Sequence, residues 1–75
     1  MKKPKPITGC RVDMVSHAGV WMEYTSFSQP VTLGMGLALA EHLRRSKTGG
    51  KVVETPTGRV LAEWDADSDK IRRVE

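Results

Sequence analysis

The chain has 75 residues, with 12 Lys or Arg against 9 Asp or Glu for a formal net charge of +3, two His and a single Cys. That length supports one domain with little stability to spare; the lone Cys10 excludes an internal disulfide; and so mild a charge permits an anionic partner without requiring one. The basic start MKKPKPITG has no long apolar run after it, and Leu33 to Ala40 falls far short of the roughly 20 residues that span a bilayer. The expectation is a soluble cytoplasmic protein with no membrane role.

Residues 1–6 alternate Lys and Pro, cannot pair into a ladder, and read as a flexible basic arm. A single domain is expected over 7–65, followed by a polar tail over 66–75 that could add a short extra strand. From Ile7 to Ser16, Cys10, Val12 and Met14 alternate with Arg11 and Asp13, the period of a half-buried strand. His17-Ala18-Gly19 is a turn of hairpin length. The next run, Val20 to Phe27, is aromatic and β-branched, with Val20, Met22 and Tyr24 on one side and Trp21, Glu23 and Thr25 on the other.

Gln29 to Lys47 is the one segment long and periodic enough for a helix. Val31, Met35, Leu39 and Leu43 recur at i, i+4, and the first three turns are apolar nearly all round, which calls for cover on more than one side. Ser28 is the first candidate N-cap and Thr32 the second, which would shorten the helix by a turn. Gly36 and Ala40 share a face that lets the helix approach a sheet closely. Arg44, Arg45 and Lys47 complement the helix dipole, and Gly49-Gly50 is expected to end the helix.

Lys51 to Thr55, a Pro56-Thr57-Gly58 turn and Arg59 to Asp65 form a second hairpin, with Val52, Val60, Ala62 and Trp64 facing the helix. The order β-β-α-β-β implies a small α+β domain, a four-stranded antiparallel sheet with one helix packed across one face. Trp21, Val15, Val53 and Leu61 would then point away from the helix. That is more apolar surface than a small monomer leaves wet, so a homodimer through the sheet face or edge is expected.

Chemistry is weakly signalled. Cys10, His17 and His42 match no zinc spacing, and nothing places Cys10 at a helix N-terminus or in a basic pocket. The carboxylates are spaced as solvated positions, and the glycines lack the Lys and Ser/Thr of a phosphate loop. No catalytic residue, metal, cofactor or small-molecule substrate is inferred. The expectation is a non-enzymatic interaction module that binds a protein partner through Trp21, Tyr24, Arg44, Arg45 and Trp64. The alternative is nucleic-acid binding through the arm lysines Lys2, Lys3 and Lys5 with Arg11, Arg59, Arg72 and Arg73, the sheet aromatics stacking bases.

An aromatic hairpin ending in TSFS, an Ala-rich helix ending in HLRR, and then KVVE and TGRVLAEW together give a layout that resembles short bacterial and phage proteins. The resemblance implies no activity; the size of the chain and its lack of an active site are what make it similar in style to phage-borne inhibitors, and an inhibitor or adaptor of phage or mobile-element type is the expectation drawn from that analogy.

Overall fold

The computed structural model describes residues 9–25, 30–55 and 57–74. The basic arm with Lys2, Lys3 and Lys5, the expected strand start at Ile7, the Ser28 cap and Pro56 lie outside them. The described residues form a small α+β domain of one antiparallel sheet and one helix. In chain order the elements are β1 (Cys10–Val15), β2 (Trp21–Glu23), α1 (Leu33–Arg45), β3 (Gly50–Glu54), β4 (Val60–Trp64) and β5 (Arg72–Arg73). The sheet runs β2-β1-β3-β4-β5, five strands where four were expected, because Ala62 pairs with Arg73 and Glu63 with Arg72. Strand β1 bridges the two hairpins by pairing with both β2 and β3.

The helix is shorter than Gln29 to Lys47 at both ends, for local reasons. Cys10 and Val31 exchange backbone bonds of 2.7 and 3.0 Å, which commits the chain before Thr32 to an extended course. Thr32 then caps α1, its hydroxyl accepting from the Met35 N–H at 3.2 Å. At the other end the stop comes before Gly49-Gly50. Lys47 takes a left-handed φ of 62°, its N–H donating to the Arg44 carbonyl and the Thr48 N–H to the Leu43 carbonyl. That pair of bonds is the Schellman arrangement, here closed by a lysine.

The helix lies across β1 and β3. Gly36 allows a close approach: a Cβ there would sit 3.4 Å from Val52 Cγ1 and 3.6 Å from Cys10 Cβ. Cys10, Val12, Ala40, Leu43, Val52, Leu61, Ala62 and Trp64 form the core, with Met14, Leu33, Leu37, Leu39 and Ile71 packed around it. Trp64 anchors it, its Nε1–H donating to the Thr48 carbonyl at 2.6 Å. Gly50 makes room for that ring, since a Cβ there would fall 2.7 Å from Trp64 Cζ2.

Two placements differ from expectation through one irregularity. Val52 pairs with Ala62 but Val53 pairs with Val60, so β4 carries an extra residue at Leu61. The shift moves Leu61 into the core and puts Val60 with Val53 on the face away from the helix, because an extra residue breaks the two-residue alternation.

Candidate functional site

The sheet has one face covered by α1 and one open, and the open face is charged. By register, Arg11, Asp13, Val15, Trp21, Glu23, Lys51, Val53, Val60, Glu63 and Arg72 share it. Asp13 is buried and meets Arg11 Nε at 2.9 Å, and Arg11 also reaches Glu23 at 3.7 Å. Arg72 is ion-paired with Glu63. The Lys51 ammonium lies 4.6 Å from the centre of the Trp21 ring, a cation–π contact. Over β3 and β4 the surplus apolar surface expected on this face is reduced, because Lys51 and Glu63 alternate there with Val53 and Val60, and Val53 is itself buried.

That surplus is found at one edge. Six large apolar side chains are exposed among the described residues, and four cluster on and beside β2: Val20 at 56 %, Trp21 at 52 %, Met22 at 47 % and Tyr24 at 40 %. The reason lies in the topology. The helix packs on β1 and β3, so β2 lies at its margin, and Met22, paired with Met14 on the helix side, stays about half exposed. The Ser16 N–H donates to the Val20 carbonyl and the Tyr24 N–H to the Val12 carbonyl, so the even-numbered residues of β2 turn their backbone inward to β1. By the alternation of an antiparallel ladder, the N–H and C=O of Trp21 point to the outer edge. Among the described residues no strand pairs there.

The other expected contact residues are distributed differently. Tyr24 lies just past β2 and is exposed. Trp64 is buried in the core. Arg44 is held inside its own chain: its guanidinium pairs with Glu41 through Nε at 3.1 Å and through Nη2, while Nη1 donates to the Ser68 carbonyl at 3.2 Å. Arg45 is exposed and meets the same Glu41 at 3.2 Å. The two arginines, Arg44 first, hold the Glu41 carboxyl below its ordinary range, and Glu41 in turn raises Arg44.

Of the cations expected to serve nucleic acid, Arg11 and Arg72 sit in the pairs above and Arg59 faces Glu54 at 3.5 Å; Arg73 lies exposed in β5. Cys10 is fully buried, and burial, then Glu54, push its thiol pKa up. His17 and His42 are exposed. Among the described residues no three His, Cys, Asp or Glu side chains are grouped to hold a metal, and no helix is long and apolar enough to cross a membrane.

A second feature was not legible in the sequence. A cleft of about 360 Å³ opens where the β1–β2 turn meets the end of α1, lined by Met14, His17, Trp21, Lys47, Trp64 and Asp65 among others. It depends on the strand order, which brings residues from both hairpins together. Compared with known proteins, the chain matches no family model, no curated protein and no solved structure.

Proposed function

We propose that the protein is a non-enzymatic interaction module whose β2 edge accepts an extended segment of a protein partner. The observation that carries this is the coincidence, on and beside one three-residue edge strand, of exposed Val20, Trp21, Met22 and Tyr24 with an outward-facing backbone at Trp21. Strand addition uses those two properties together: main-chain bonds supply affinity, and alternate side chains supply selectivity. Trp21 is the natural anchor, a large ring already held by Lys51 and so losing little freedom when a partner covers it. Within this reading Arg44 and Trp64 serve the fold, and Arg45 pairs with Glu41 on α1. The paired state of Arg11, Arg59 and Arg72 favours a protein over nucleic acid. The inhibitor or adaptor role, in the cytoplasm, fits a module of this kind.

Selection of random peptides on the dilute protein tests the reading. The expected winners are extended sequences with apolar residues at alternate positions. They should lose at least about ten-fold in affinity for Trp21→Pro, which removes the outward N–H at a position where an edge strand tolerates proline. Failure to enrich such peptides, or winners indifferent to Trp21→Pro, would reject the edge as the site.

A further inference from the structure

We propose that the strand accepted by β2 is the β2 of a second copy of the chain, paired antiparallel about a two-fold axis centred on Trp21. This rests on the reading of β2 as a protein-accepting edge and names its occupant.

The register follows from what each centre would bring together. Centring on Glu23 sets two carboxylates opposite one another, which an antiparallel pair disfavours. Centring on Met22 sets Trp21 against Glu23 of the other copy, yet Glu23 already makes contacts within its own chain, Arg11 among them. Centring on Trp21 needs the outward groups of that residue alone. Its N–H donates to the Trp21 carbonyl of the other copy and its carbonyl accepts in return, closing a two-bond ring of the kind that joins hydrogen-bonded pairs.

The same register places Val20 opposite Met22 of the other copy on the helix side, twice by symmetry, so the four side chains cover one another. On the open face the two Trp21 rings become neighbours, each with its Lys51 on the side away from the axis. Glu23 falls opposite Gly19, which has no side chain to oppose it. No like charges meet across the axis, and an isologous contact asks for such self-complementarity.

So short an edge buries less than about 1,200 Å², the range of weak complexes. The expected dissociation constant lies between about 10 μM and 1 mM. The full chain is measured by sedimentation across that range while exchange of the Trp21 amide is followed by NMR. The expected result is a mass rising towards that of two chains, with Trp21 amide protection rising in step. The Met22 N–H, already turned inward, should change little. In an equal mixture of two differently labelled samples, contacts between chains should link Val20 methyls to the Met22 methyl.

A monomer at 1 mM with an unprotected Trp21 amide overturns the self-pairing. If it still binds the selected peptides, the edge reading stands and its occupant is another protein; if it binds none, both fail. A dimer in which Trp21 stays unprotected also overturns the proposal, since the two copies would then meet elsewhere. Trp21→Pro, expected to stay monomeric, serves as the control.

Discussion

The two edges of the sheet are built from similar lengths of chain and differ in what guards them. β5 is two residues, both arginine and both exposed, with Arg72 ion-paired to Glu63 on the neighbouring strand. β2 is three residues with a single charge, flanked by Val20 and Tyr24, and three of its nearby apolar side chains share one face. Charged side chains on an edge strand make the approach of another strand costly, and apolar ones make it favourable. The lesson is that the open backbone is common to both edges, while the side chains decide which one is available.

Both edges hang on one centre, which Trp64 anchors. Its ring lies over Gly50 in β3, its N–H is tied to Thr48 before that strand, and it ends the strand that carries β5. Trp64→Ala should cost about 3–5 kcal/mol, which is close to all the stability a domain of this size has. Thermal or urea unfolding followed by circular dichroism should show the variant largely unfolded at 25 °C. A cooperative transition near that of the wild type would mean that the core does not depend on this ring.

Next in size is an exchange of guards. Arg72→Val combined with Arg73→Thr gives β5 the character of β2, and Trp21→Arg gives β2 the character of β5. The Arg72–Glu63 pair is exposed and its loss should alter folding by no more than about 1 kcal/mol. Association should respond more. The β5 variant should show a higher sedimentation mass than the wild type at equal concentration, and Trp21→Arg a lower one, by about ten-fold in apparent dissociation constant in each direction. If removing both arginines leaves the mass unchanged, the arginines are not what separates the two edges.

How far the sequence foretold this can be judged residue by residue. The two hairpins, the helix and their α+β class were legible because each is a local pattern: alternation in Cys10 to Met14, a Gly-bearing turn, i, i+4 spacing in Met35 to Leu43. The helix ends were legible in part. Thr32 was recognisable as a cap, but the preference for it over Ser28 comes from the bridge between Val31 and Cys10, a contact across some twenty residues. The stop at Lys47 was hidden by two glycines nearby that seemed better suited to it. Leu61 and Val60 were misplaced because one extra residue reverses the sides of a strand, and no turn chemistry marks the bulge.

The candidate site was legible as residue types and not as a place. Trp21 and Trp64 look equivalent in sequence, each in a short aromatic strand with acidic neighbours. What makes one a core anchor and the other an edge anchor is that β3 pairs with β1, leaving β2 outermost and at the margin of the helix. That pairing joins residues about forty positions apart, and nothing in the local pattern specifies it.

The smallest effect separates the edges by their attachment. β5 is reached through the turn after β4, and Arg44 on α1 holds that turn by donating to the Ser68 carbonyl while clamped by Glu41. β2 is held within the sheet instead, by its backbone bonds to β1, by Arg11 reaching Glu23 and by Lys51 against Trp21. Because Glu41 has its pKa lowered from the ordinary 4.5 in the folded chain, the clamp is fully present above that value and is lost as pH falls through the lowered one. The Val74 N–H, bonded to the Leu61 carbonyl at 2.9 Å, reports on β5, and the Tyr24 N–H, bonded to the Val12 carbonyl at 2.8 Å, reports on β2. In hydrogen exchange the protection of Val74 relative to Tyr24 should decline on acidification below about pH 4.5. Glu41→Gln should show the reduced ratio already at neutral pH and no further decline in acid. Equal loss at both amides would mean that acid acts on the whole sheet, and that the Arg44 tie does not distinguish one edge from the other.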